Sequence, residues 1–357
     1  MAKPPGAPKT KTGIAKSRGL DRSMVLHLAG KYRGILAFLL VFILGIVMTR
    51  SGKTGVSTFL NWSTQKDILL YYAETGILAA GMTLVIIAAG IDLSVGAVLG
   101  FSATFFSLLV IGYGWPPLWA GIVTILCAGG MGAVSGFVIA RFRIQPFVVT
   151  LGMMLLARGL AKWITGGEKV ARAAQDWYAL KTNPPVFEWM SSPLKPLGLQ
   201  PITLAFFVTI LIMWVILRFT RFGRQLYAIG GNEEAARLSG IPVRLVKVGA
   251  YALCAMTAGL AGMCNSSLNM YGDPEAGVTY ELDAIAAVVI GGTSLMGGKG
   301  GMFFTFLGAL IIAYISKILS LRNFDEPSKL MVRGALIIVA VLIQQTLEKT
   351  EKRSIQR

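Results

Sequence analysis

Ten apolar stretches recur along this chain, near residues 34–48, 68–89, 92–112, 119–140, 146–163, 202–218, 248–268, 284–297, 302–318 and 331–346. Hydrocarbon offers backbone N–H and C=O groups no partner, so each crossing has to satisfy its own hydrogen bonds, which a helix does. Several stretches are shorter than the ~20 residues that a straight span needs, which predicts broken or tilted helices. Composition agrees: 54% of the 357 residues are hydrophobic and 14% are charged, where a soluble domain carries about a quarter charged residues. Mean hydropathy is +0.65, and the 42 glycines suit close helix packing in lipid. The expected fold is all-α: a polytopic membrane protein of about ten transmembrane helices, some broken at glycine-rich motifs. No cleavable signal peptide is expected, because the basic amino-terminal run is long and no small-residue cleavage site follows the first apolar stretch.

Charge placement orients the chain. With the amino terminus inside, 21 of the 34 Lys/Arg fall on inward segments. Of the remainder, four lie in the long 164–200 loop, and long loops weigh little in the positive-inside rule. The formal net charge of +17 therefore reads as topology plus attraction to anionic lipid headgroups. No aromatic-interleaved basic patch argues for nucleic acid. The expected organisation is a flexible basic cytoplasmic arm over 1–33, ending in an interfacial helix from about Ser23, then a transmembrane domain over 34–347. That domain carries an outer loop at 164–200 and a main cytoplasmic loop at 219–247; residues 348–357 form a cytoplasmic tail. Trp177, Tyr178, Trp189 and five prolines in or beside the outer loop suit an ordered cap or an interfacial aromatic belt. Cys127, Cys254 and Cys264 fall in the apolar stretches without metal-ligand spacing, and the single His27 cannot build a metal site.

The cytoplasmic loop holds a short polar helix with its own start and stop signals, within Gly231-Asn232-Glu233-Glu234-Ala235-Ala236-Arg237-Leu238-Ser239-Gly240-Ile241-Pro242. Asn232 caps orphan amides, and Glu233 and Glu234 suit the helix dipole. Gly240 offers a left-handed stop and Pro242 blocks continuation. A helix so delimited is built to be gripped by a partner.

Two glycine-rich breaks interrupt the apolar pattern. In Gly90-Ile91-Asp92-Leu93-Ser94-Val95-Gly96 the glycines permit unwinding, and Asp92 and Ser94 supply partners for freed backbone groups. Two roles stand for Asp92: capping the following helix, or touching solute as an intramembrane carboxylate. The second break runs Gly291-Gly292-Thr293-Ser294-Leu295-Met296-Gly297-Gly298-Lys299-Gly300-Gly301. It fails the phosphate-loop test, because Thr293 stands where the first glycine is required and Gly300 where Ser or Thr is. A turn of closely approaching backbones is the better reading. Just upstream, Asp273, Glu275, Glu281 and Asp283 form an outward segment with no base of its own. It is either a solvated loop or a docking surface for a basic partner.

Taken in order, these blocks resemble the membrane permeases of ribose/xylose-type sugar ABC importers. The resemblance also includes Gly81-Met82-Thr83-Leu84-Val85-Ile86-Ile87, Gln145-Pro146-Phe147-Val148-Val149-Thr150-Leu151-Gly152 and Tyr280-Glu281-Leu282-Asp283-Ala284-Ile285, and covers about 68–346. It implies a subunit of the bacterial cell membrane, either a Gram-negative inner membrane or a single plasma membrane, that transports a monosaccharide or related polyol; the charge placement puts both amino and carboxyl termini in the cytoplasm. Implied partners are a second permease, as a homodimer or a heterodimer, an ATP-binding subunit and an extracytoplasmic sugar-binding protein. ATP would be used by the partner ATPase; this chain would hold no cofactor and be no enzyme.

By the same resemblance, Asn232, Glu233, Glu234, Ala235, Ala236 and Gly240 form the coupling helix seated on the ATPase. Gly90, Asp92, Ser94, Gly96, Gly291, Gly292, Thr293 and Ser294 map to translocation or gating motifs. Met296 stands where the family usually has a smaller residue, and Glu74 is unexpected inside a span. The competing readings are a secondary transporter that couples solute to ions through Glu74 and Asp92, and an ABC permease for a non-sugar solute.

Overall fold

The computed structural model describes residues 22–50, 57–171, 184–196 and 198–355. Residues 1–21 of the expected 1–33 arm lie outside the described residues, as do Trp177, Tyr178 and the last two residues of the tail. Among the described residues the chain is helical, with isolated bridges and no strand.

The helices run α1 (Arg22–Met48), α2 (Trp62–Tyr71), α3 (Ala73–Ile87) and α4 (Val95–Ser107), the last continued by a π-helical turn over Leu108–Gly112. Next come α5 (Pro117–Phe142), α6 (Pro146–Thr165), α7 (Pro185–Ser191) and α8 (Pro201–Phe219). The chain continues through α9 (Arg221–Gly231), α10 (Glu233–Leu238) and α11 (Val243–Asn269). It closes with α12 (Tyr280–Ile290), α13 (Met302–Leu321) and α14 (Glu326–Ile355).

Six of these are long and apolar enough to cross a membrane singly, and α2 with α3 makes a seventh as a pair bent by 51°. The chain is thus a multi-pass helical membrane protein, with six or seven such spans among the described residues. The 284–297 stretch departs most from expectation. Its helix stops at Ile290, where Gly292 N bonds Val289 O (2.8 Å) and Thr293 N bonds Val288 O (3.1 Å). Those bonds turn the chain back into a glycine-rich loop whose φ angles are positive at Gly292, Gly297, Gly298 and Gly300. Helical pitch cannot continue through such angles.

Helix α3 lies at the centre. All fifteen of its residues are buried, as expected of a helix apolar on every face. Fifteen residues rise about 22 Å, short of the bilayer core, which explains why α3 needs α2 to reach across. Around it, small residues let backbones meet. A Cβ on Gly81 of α3 would strike Thr257 and Cys254 of α11, and one on Gly132 of α5 would strike the Tyr251 carbonyl. Four residues on, Gly136 sits against the Val248 backbone, while Gly129 and Gly121 receive Met256 and Met263. Helices α5 and α11 therefore pack antiparallel on a small-residue seam, the arrangement by which dispersion and close approach join helices in lipid. Thr83 and Thr305 hydroxyls, 2.8 Å apart, add a buried tie from α3 to α13.

A separate aromatic cluster seats α1 through Phe38 and Phe42 against Phe59 and Tyr314, with the Phe59 and Tyr314 centroids 5.0 Å apart edge-on. In the described part of the 164–200 segment, α7 packs Phe187 on Phe106 of α4 at 5.7 Å between ring centroids. Trp189 stays largely exposed.

Candidate coupling and gating site

The capped helix forms as its sequence dictates. Asn232 is extended (φ −160°, ψ 105°) and its side-chain oxygen accepts from Ala235 N at 2.9 Å. Gly240 takes φ +83°, and Ile241 N closes back on Ala236 O at 3.1 Å, so the stop is a left-handed C-cap. Glu234 pairs with Arg237 on the helix, and Lys247 of α11 reaches Glu233 at 2.6 Å. Only Ala236 turns inward.

Sequence reasoning missed two exposed leucines on this surface. Leu238 is 80% exposed at the end of α10, and Leu245 is 73% exposed on the first turn of α11. The available signal was a lone large apolar residue on a helix that is otherwise polar or alanine.

At the first break, α3 ends and Ala89 takes φ 59°. Asp92, Ser94 and Gly96 are buried. Asp92 Oδ1 accepts from both the amide and the hydroxyl of Ser94, at 2.9 and 2.6 Å. This is an Asx-type brace ahead of α4; the α4 N-cap, Ser94, makes no side-chain cap of its own. Gly90 leaves room for the Tyr251 ring, whose hydroxyl would strike a Cβ there.

An amide oxygen can accept the same two bonds. Asp92→Asn is therefore expected to accumulate in membranes at wild-type level, whereas Asp92→Ala loses about 1–3 kcal/mol by stranding buried donors. Thermal unfolding of the detergent-solubilised protein distinguishes the two; equal losses in both variants would show that the charge itself is required.

The second break is a braced turn. Ser294 N donates to Lys299 O at 3.0 Å, Gly297 N to Ser294 O at 3.0 Å, and Met296 N to the Ser294 hydroxyl at 3.3 Å. Thr293 is buried beneath Gly300, and Gly291 lies on the Phe304 backbone of α13. Met296 projects from the turn, 76% exposed.

The fold brings the two breaks together. A Cβ on Gly297 would come within 2.8 Å of the Ala89 Cβ, and Gly298 N donates to Ile87 O at 2.9 Å. The end of α9 joins them, since a Cβ on Gly230 would strike both Ile87 O and Gly298 N. All of this lies beside Asn232, the cap of α10.

The four acids divide into two environments. Glu275 pairs with Lys162 at 2.5 Å and Asp273 with Lys169 at 2.9 Å. The Asp273 hydrogen bond and charge hold the Lys169 ammonium above its ordinary pKa. Antiparallel bonds between Val170 and Gly272, at 2.8 and 2.9 Å, pin the same strip, and Arg158 of α6 binds the carbonyls of Pro274 and Ala276.

Glu281 instead lies half-buried, reaching the space over Gly96, and Asp283 is buried 3.4 Å from Arg333 of α14. The segment has no base of its own, yet α6, the loop after it and α14 bring bases to it. The four carboxylates do not share one open face. Glu74 is also buried, accepting from Asn265 of α11 at 2.8 Å.

Comparison with known proteins places this architecture. The family model described as "Branched-chain amino acid transport system / permease component" matches residues 66–341. Similar relatives include the ribose import permease of Escherichia coli (strain K12), 38% identical over 304 residues, covering 85% of this chain and 91% of the relative. The ribose import permease of Bacillus subtilis (strain 168) is 36% identical over 320 residues, covering 90% and 95%. The xylose transport system permease of Escherichia coli (strain K12) is 30% identical, covering 96% of this chain and all of the relative.

Proposed function

This chain belongs to the family of transport-system permease components, and we propose that it is the transmembrane subunit of an ATP-driven importer for a monosaccharide or related polyol. The observation that carries the coupling role is α10. A helix of six residues is capped at both ends, anchored inward by Ala236 and Lys247, and presents Leu238 to the outside. A short helix held this way transmits displacement into α9 and α11 instead of absorbing it.

In this reading the α10 end faces the cytoplasm, consistent with the inward bias of Lys/Arg. An ATP-binding subunit seats α10, and ATP is consumed there. A second copy of this chain completes the pathway, and a soluble sugar-binding protein delivers solute at the opposite end. The strip around Asp273 and Glu275 is the part of the acidic segment open to such a protein. Direction comes from the partner, because only a difference in its affinity for two permease states biases their populations.

The test is affinity purification of the tagged chain from its native membrane, with mass spectrometry of what accompanies it. An ATP-binding subunit is expected with the wild type and is lost from Glu234→Lys, which sets a cation beside Arg237 at the wrong end of the helix dipole. Recovery of the chain without an ATPase, still moving solute on an ion gradient, would overturn the proposal and favour coupling through Glu74 and Asp92.

A further inference from the structure

Motion of α10 has to reach the pathway, and the packing around α9 offers one route. Tyr227 of α9 donates its hydroxyl to Gly300 O at 2.9 Å. One turn on, Gly230 lies so close to Ile87 O and Gly298 N that a Cβ there would overlap both. Gly298 in turn sits against the Gly231 backbone, with a Cβ limit of 2.9 Å, while donating its amide to Ile87 O at 2.9 Å. Gly297 is equally tight on Ala89. Three chain segments, 227–231, 87–90 and 297–300, thus meet through close backbone approaches at Gly230, Gly297 and Gly298, with the Tyr227 side chain as a tie to Gly300.

We infer that Tyr227, Gly230 and the 297–300 turn form a rigid joint that carries displacement of α10 to the inner ends of α3 and α12 together. The inference rests on the proposed coupling role of α10 and goes beyond it by naming where the motion passes. Direct backbone contact transmits a push with little slack, because packed interiors shift between discrete arrangements and do not deform smoothly. Displacement at 297–300 moves the 291–301 turn after α12. Displacement at Ile87 moves the 90–96 break, where Asp92 and Ser94 lead into α4. Both gating motifs therefore answer to one input. Tyr227 and Gly230 are positioning residues here and need touch no solute.

Adjacent glycines supply the contrast. Gly230 is wedged, whereas a Cβ on Gly231 meets nothing within 4 Å. The experiment reconstitutes the full assembly, co-purified with its ATPase and binding protein, into vesicles. It measures sugar moved per ATP hydrolysed, using whichever of D-ribose, D-xylose, D-fructose and D-allose the wild type carries best.

Gly231→Ala is expected to keep the wild-type ratio. Gly230→Ala and Tyr227→Phe are expected to lower it by about fivefold or more, with ATP hydrolysis continuing and the amount of assembled complex unchanged for Tyr227→Phe. A purely structural role would reduce complex and activity in proportion and leave the ratio alone. If Gly230→Ala fails to assemble, Tyr227→Phe, which adds no atom, decides the matter. An unchanged ratio in an assembled variant overturns the joint while leaving the importer reading intact. A wild-type assembly whose uptake of sugar or polyol is independent of ATP overturns both.

Discussion

Gly240→Pro should abolish uptake while leaving the helical bundle folded. Gly240 sits at φ +83° and its amide donates to Arg237 O at 3.0 Å. Proline forces φ to about −65°, removes that donor and costs about 3 kcal/mol at a site that cannot adopt its geometry. It also disfavours the helical conformation of Ser239 just before it. The residue is exposed and touches nothing through a Cβ position, so the damage stays within the end of α10 and the turn into α11. A penalty of that size is about a hundredfold in an equilibrium, enough to bring uptake in vesicles to background. Size-exclusion profiles should remain wild-type, and hydrolysis by the associated ATPase should lose its dependence on solute. Full uptake with Gly240→Pro would remove α10 from the coupling path.

Gly132→Val should have the opposite signature, with the fold lost before function is reached. Its Cβ would overlap the Tyr251 carbonyl and crowd the Ala255 methyl at the α5–α11 seam. Helices cannot separate there without also releasing Gly129 from Met256 and Gly136 from Val248. Overpacking of this kind costs about 3 kcal/mol, and in lipid no hydrophobic drive compensates, because chain and bilayer are equally apolar. The expected result is a sharp fall in monodisperse protein after solubilisation. Gly130→Val, whose Cβ meets nothing within 4 Å, is the matched control and should accumulate normally. Similar yields for both would mean that the seam is more compliant than its distances imply.

The features legible in advance are those written in local chemistry. Asn232, Gly240 and Pro242 announced α10 because caps and stops act within a few residues of themselves. Helical class followed from apolar length alone, since lipid permits little else. Where an apolar stretch stops being helical was less legible. Apolar composition runs through 284–297, but the helix ends at Ile290 because the following glycines adopt positive φ, and composition does not report dihedral angle. The partners of the acids after α11 were illegible for another reason. Within their own stretch they have no base; Lys162, Lys169 and Arg333 reach them from elements far away in the chain.

Sequence by itself determined that this chain is a helical membrane protein, that a capped polar helix interrupts it, and that two glycine-rich segments break its spans. These are short-range consequences of hydrocarbon burial, capping and backbone freedom. Tertiary structure alone decided that both breaks converge on Ile87, Gly230 and Gly298, that Asp92 braces Ser94 at the entry to α4, and that Glu281 turns in over Gly96. Those outcomes depend on which backbones can approach one another, a property of paired glycines on separate elements that no single segment contains.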